Sequence, residues 1–136
     1  MRVVLDTNII VSALIAPAGR SAAIIDAWLD GKFTLLACAT HLDELRSTLQ
    51  KPRVAELDKP HKAGRLVNQI RQLAVDIDPL PRVQRSSDPT DDFLLALSEG
   101  GKTDYLVTGD KSGLLALVRH KATRIVSARE FAALFA

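Results

Sequence analysis

Four acidic residues of this 136-residue chain stand where carboxylates could work together: Asp6, Glu44, Asp92 and Asp110. Asp6 ends the apolar run RVVLD, and Asp110 ends a second such run, DYLVTGD. Asp92 lies in the first turn of a helix expected to start near Pro89, and Glu44 on the helix expected after the second strand. Two carboxylates about 5 Å apart repel by about 3 kcal/mol at an effective dielectric near 20. Such a cluster needs a shared proton or a cation. Hard oxygen donors without a Cys or His pair at metal-ligand spacing select Mg²⁺ or Mn²⁺ over Zn²⁺.

Each acid also has a plainer reading. Asp6 and Asn8 suit a helix cap, as do Asp88, Asp91 and Asp92 near a helix start, and Asp110 suits the N-cap of the next helix. Glu44 reads equally as a solvated helix residue, and the helical wheel does not separate it from Asp43. Asp92 stacks over Ala96, four residues on, whereas Asp91 points about 100° away.

The elements that must position these acids alternate. Apolar runs at 2–6, 33–39, 74–80, 104–110 and 123–127 read as five strands. Helices are expected at 8–16, 21–31, 40–50, 60–74, 91–101, 111–120 and 128–136, with a break or short helix between Pro52 and Pro60. Ser21 and Thr40 are the expected caps of two of them. Strands alternating with helices imply a three-layer α/β sandwich with a mostly parallel central sheet. Ligands of such sheets gather at the carboxyl ends of the strands, where Asp6 and Asp110 stand.

Composition narrows the classes. The length suits a single domain, 1–136, and 47% hydrophobic residues exclude a disordered tail. A net charge of +2 excludes a strongly basic nucleic-acid arm. One cysteine, Cys38, allows no intramolecular disulfide and favours a reducing compartment, so a cytoplasmic location is expected. The N-terminus faintly resembles a signal peptide, but Asp6 and Asn8 interrupt its apolar stretch. No apolar run approaches the roughly 18 residues of a membrane span. His41, His61 and His120 are scattered and read as surface residues, and Trp28 as a packing residue.

Taken in order, these motifs resemble the PIN-domain family of metal-dependent ribonucleases, over essentially the whole chain. The matching residues are Asp6-Thr7-Asn8 at the first strand end, Glu44-Leu45 on a helix, Asp92 with Ala96, and Thr108-Gly109-Asp110. One departure is Lys111-Ser112-Gly113, where many members carry Leu or Val directly after Lys-Asp. The stretch DPTDDFLLALSEGGKTDYLVTGDKSGLLAL resembles the bacterial subset described as toxins of toxin–antitoxin pairs. The resemblance implies Mg²⁺ or Mn²⁺ held by Asp6, Asp92 and Asp110, with Glu44 completing the site. It implies that Asn8 and Thr7 orient Asp6 and the attacking water, and that Thr108 supports Asp110. Expected partners are an RNA substrate, a small antitoxin and, as a homodimer, a second copy.

A carboxylate-rich site needs cationic neighbours to hold RNA. Arg20, Lys51, Arg53, Arg82, Arg85, Lys102 and Lys111 are the candidates. Aromatic residues, at 4%, are too few for extended base stacking. Three rival readings remain at this level. A haloacid-dehalogenase-type phosphatase would need an acid where Asn8 stands, and a Mg²⁺-dependent phosphotransfer receiver would need an acidic pair on its first loop. The third is a catalytically silent PIN-like interaction module.

Overall fold

In the computed structural model, which describes residues 1–57, 62–110 and 112–135, six strands form one sheet. They are β1 (Arg2–Leu5), β2 (Thr34–Ala37), β3 (Val75–Asp76), β4 (Tyr105–Val107), β5 (Arg119–His120) and β6 (Thr123–Val126), in the order β3-β2-β1-β4-β6-β5. All neighbours run parallel except the β5–β6 pair. The expected α/β sandwich is therefore present, with one strand more than predicted.

The extra strand is β5. The stretch 111–120 reads as one helix, but the helix closes after Leu114–Leu117, where Val118 takes a left-handed φ of 65°. Val118 turns the chain, and Arg119 and His120 then pair with β6 through a tight turn. Two polar residues carry too short a pattern to announce a strand.

Buried strands read as apolar on both faces because both faces are covered. Val3 and Leu5 of β1 belong to one core, together with Leu35, Ala37, Val107 and Val126. Val4, between them, belongs to a second core with Leu36, Leu106 and Ile125. The first core is roofed by α1 (Thr7–Ile15), α2 (Arg20–Leu29), α3 (Ala39–Leu49), α5 (Lys62–Leu73) and α8 (Ala128–Ala132). The second is roofed by α6 (Asp92–Gly100) and α7 (Leu114–Leu117). Trp28 is buried, as expected of a packing residue, and so is Cys38. The expected break after Lys51 is the short helix α4 (Pro52–Leu57). Among the described residues no single helix is long and apolar enough to cross a membrane.

Two helix starts differ from expectation. The N-cap of α2 is Gly19 rather than Ser21, so the helix begins at Arg20. The N-cap of α3 is Cys38, so Thr40 lies inside the first turn. The histidines differ more. His41 and His120 are buried, at 4% and 5% exposure, because α3 and β5 turn them inward; His61 lies outside the described residues.

From β1 the chain steps outward to β2 and β3, then returns to place β4 and β6 on the other side of β1. The order reverses between β1 and β4, which makes the carboxyl ends of that pair the switch point of the sheet. Asp6 follows β1 directly, and Thr108 and Asp110 follow β4.

Candidate active site

Asp6 sits at the N-cap position of α1, yet its side chain makes no cap hydrogen bond. Its Oδ2 instead accepts a 2.7 Å hydrogen bond from the Thr108 hydroxyl. The backbone continues the ladder at this point, with Asp6 N–H donating to the Val107 carbonyl at 2.9 Å. Burial pushes the Asp6 carboxyl above its usual range, the Thr108 hydroxyl pulls it back, and the Glu44 carboxylate pushes it up again. The Thr7 and Asn8 N–H groups at the start of α1 also pull it down, more weakly, so the carboxylate serves the helix start as well as Thr108.

Thr108 is fully buried and has a second role. Its oxygen accepts the Asp110 N–H at 3.1 Å while its hydroxyl hydrogen goes to Asp6. One side chain thus fixes both strand ends of the switch point. The expectation that Thr108 supports Asp110 is met through the backbone of Asp110 rather than its carboxylate.

The Thr7 side chain does not hold Asp6. Its hydroxyl donates to Glu44 Oε2 at 2.6 Å, which ties the start of α1 to the middle of α3. Glu44 is thereby brought beside Asp6, a choice over Asp43 that the helical wheel left open. Asp43 is exposed and lies 3.9 Å from Arg46. Asn8, expected to orient Asp6, is exposed on α1.

The third acid of the cluster is Asp91 rather than Asp92. A 3-10 turn over Pro89–Asp91 precedes α6, with Asp88 accepting the Thr90 N–H at 3.0 Å. Asp91 emerges from this turn into the field of the other acids. Burial pushes its carboxyl up to about 6, helped by the charges of Asp6, Asp88, Asp110 and Glu44. Asp92 faces the preceding loop, where its Oδ1 accepts the N–H groups of Ser86 at 2.7 Å and Arg85 at 3.1 Å. A helical wheel assumes regular turns back from Asp92, and the 3-10 turn over Pro89–Asp91 breaks that regularity.

Asp110 is turned toward the start of α7. Its two oxygens accept from Gly113 N–H at 3.1 Å and Leu114 N–H at 3.3 Å, much as its plain capping reading supposes. A Cβ at position 113 would collide with Asp110 Oδ2. The departure noted at Ser112-Gly113 therefore lets the chain close tightly on this carboxylate.

The cradle expected of Asp6, Asp92 and Asp110 is not formed. Among the described residues no three acidic, histidine or cysteine side chains stand close enough to enclose a metal ion. What the fold assembles is a convergence of charge from four segments: the Asp6, Asp110 and Glu44 carboxylates all push the Asp91 carboxyl up, and Glu44 does the same to Asp6. Their donor chemistry fits Mg²⁺ or Mn²⁺. Mg²⁺ is commonly held by one or two carboxylates, several waters and the substrate's own phosphate, without a closed protein cage.

The candidate cationic residues separate. Arg20 borders a groove beside Thr108 and Gly109. Arg82 lines a hollow with Asp92. Arg85 is already engaged, its Nη1 donating to the Arg119 carbonyl at 2.7 Å and to His120 Nδ1 at 2.9 Å. His120 Nε2 in turn meets Glu99 Oε1 at 2.9 Å. This chain of contacts pins the 82–87 loop to the sheet edge, and no sequence spacing announces it. Lys102 precedes β4, so it stands at the opposite, amino end of the strands and away from the acids. Lys51 and Arg53 are exposed around the start of α4, and Lys111 lies outside the described residues.

Comparison with known proteins agrees with this architecture. A family model described as PIN domain matches residues 2–112. Among solved structures, the chain resembles the PIN domain of human SMG5 at 13% sequence identity and a TM-score of 0.53, with 100% of each chain covered. That likeness concerns the fold. No curated protein sequence matches the chain.

Proposed function

Because the chain belongs to the PIN domain family, we propose that it is a Mg²⁺- or Mn²⁺-dependent ribonuclease that hydrolyses RNA phosphodiester bonds. The supporting observation is the hydrogen-bonded frame at the switch point. The Thr108 hydroxyl joins Asp6 to the backbone of Asp110, the Thr7 hydroxyl holds Glu44, and Asp91 stands in the field of all three acids. A fold has no need of four carboxylates at one edge, and their mutual repulsion opposes stability.

Asp6, Asp91 and Asp110 are the residues from which the metal would take one or two carboxylate ligands, water and the substrate phosphate supplying the rest, with Glu44 beside them; Asp91 takes the place the sequence assigned to Asp92. When bound, the metal supplies positive charge against the phosphate and lowers the pKa of a bound water. Thr108 keeps Asp6 ionisable despite its burial, because a hydroxyl donor favours the charged carboxylate. Thr7 holds Glu44 at the rim, where it can accept a proton from the attacking water. Thr108 and Thr7 act through the acids they fix, as positioning residues.

In the same reading the protein is the cytoplasmic toxin of a toxin–antitoxin pair, blocked by a small antitoxin, as the 88–117 stretch suggests. The test is cleavage of RNA with Mn²⁺ or Mg²⁺ against an EDTA control, comparing wild type with Asp6→Asn and Asp91→Asn. Cleavage by the wild type alone supports the assignment. Equal cleavage by a folded, pure Asp6→Asn protein sinks it. The antitoxin is sought as a small partner encoded beside this chain that co-purifies with it and stops cleavage.

The open arrangement of the carboxylates favours one second reading, a catalytically silent module. Calorimetric titration with Mn²⁺ separates the two. Heat of binding that disappears in Asp110→Asn supports the nuclease, and no binding supports the module.

A further inference from the structure

A groove of about 500 Å³ opens directly beside the acid cluster. It starts at Thr108 and Gly109, runs along α1 past Ser12, and is bordered by the starts of α2 and α8. No carboxylate lines it, although the most acidic part of the molecule adjoins it. Arg20 and Arg129 do line it, and neither has an ion-pair partner among the described residues. Two guanidinium groups without an ion-pair partner among the described residues thus stand beside a cluster of acids.

A second observation comes from the start of α2. The first N–H groups of a helix have no intrahelical acceptor and are normally met by a capping side chain. Here the N-cap is Gly19, which has no side chain to offer. A Cβ there would stand 3.2 Å from the Ala16 carbonyl, so the tight turn favours glycine. Ser21, the cap expected from the sequence, is already inside the helix. It is only 9% exposed, it lines the groove, and its hydroxyl has no hydrogen-bond partner among the described residues. The groove therefore offers a free hydroxyl, uncapped backbone donors and two arginines, which together are the donor set of a phosphate seat.

We infer that this groove seats an RNA backbone phosphate adjoining the scissile one, held by Arg20, Arg129, the Ser21 hydroxyl and the first N–H groups of α2. The inference rests on the nuclease reading and adds a direction to it. The bound strand leaves the acids past Thr108 and Gly109 toward α2 and α8. Recognition there is by backbone charge, in keeping with the scarcity of aromatic residues.

The test measures binding apart from cleavage. A fluorescein-labelled, ten-nucleotide single-stranded RNA is titrated in EDTA at several KCl concentrations against wild type, the Arg20→Gln/Arg129→Gln double variant, and Arg71→Gln, an exposed residue of α5. The double variant should bind about 10-fold more weakly. Its plot of log affinity against log salt should be shallower by about 0.7, one phosphate contact on a single strand. Arg71→Gln should match wild type within about 2-fold. Returning lysine at both positions should restore part of the affinity. An unchanged affinity and salt slope in the double variant overturns the inference. Cleavage in Mn²⁺ separates it from the parent reading. Wild type that cleaves, with a double variant that binds and cleaves equally well, removes the groove and keeps the nuclease. Wild type that does not cleave, with a double variant that loses affinity, removes the nuclease and keeps the groove. No RNA binding by wild type in EDTA overturns the groove, and the nuclease then stands or falls on cleavage in Mn²⁺.

Discussion

Replacing Asp91 by asparagine should stabilise the metal-free protein at pH 8 and weaken its hold on Mn²⁺. Asparagine keeps the shape of the side chain and removes one charge from the cluster. A carboxyl raised from 3.8 to about 6 corresponds to about 3 kcal/mol at full strength. Asp91 is partly exposed, so solvent screening reduces this two- to threefold, to about 1 kcal/mol. For a chain of this size that is a rise in Tm of about 3–5 °C. The sign follows from the direction of the shift. A carboxyl whose folded pKa is raised contributes stability that is fully present below its unfolded value of 3.8 and is lost as pH rises through about 6. The variant lacks that loss, so its advantage should grow between pH 4 and pH 7 and then level off. Thermal melts in EDTA at pH 4, 6 and 8 measure it. Adding Mn²⁺ at pH 8 should raise the wild-type Tm and raise the variant's less. Asp92→Asn should keep most of the Mn²⁺ response, because an amide oxygen can still accept from Ser86 and Arg85. The reasoning fails if Asp91→Asn is less stable than wild type at pH 8, or if Asp92→Asn is the variant that loses the Mn²⁺ response.

Thr108→Val should destabilise the protein by about 1–3 kcal/mol in urea melts, since it strips a hydroxyl from Asp6 and an acceptor from the Asp110 N–H. It should also move the acid limb of any pH–rate profile to higher pH, because that hydroxyl holds the Asp6 carboxyl down. His41→Phe should flatten acid unfolding. Burial holds His41 down at about 4, so the neutral form is favoured. Its stability is complete above 6.5 and lost as pH falls toward 4, about 3 kcal/mol in difference melts. Gly113→Ala should push the Asp110 carboxylate off the Gly113 and Leu114 N–H groups, lowering RNA cleavage about 10-fold while Tm falls by only a few degrees.

The sheet was legible because parallel strands covered on both faces must be apolar where they are buried, and the buried VVL, LLA and LV of β1, β2 and β4 are. That rule also located Asp6, Thr108 and Asp110, since polar residues at the ends of such strands stand at the binding edge. The choice between Asp91 and Asp92 was not legible. It depends on a 3-10 turn set by Asp88 and Pro89, and a wheel drawn at 3.6 residues per turn does not describe one. Thr7 is expected to orient Asp6, but its hydroxyl goes to Glu44, 37 residues away, a partner that no local spacing announces. The histidines differ because burial of a single polar residue is decided by tertiary packing: His41 is on the buried face of α3 with its ring 5.8 Å from that of Phe93. β5 was missed because its two residues, Arg and His, carry no apolar signal.

Both borders of the sheet are two-residue strands, Val75–Asp76 on one side and Arg119–His120 on the other. A border that short presents almost no open row of N–H and C=O groups to a neighbouring chain, and one of the two carries charge and a buried ring in its place. Extension of the sheet across two molecules is therefore closed off at either end. Pairing of strands between copies is thereby disfavoured, which turns any contact between them toward the helix faces and away from the backbone at the strand ends.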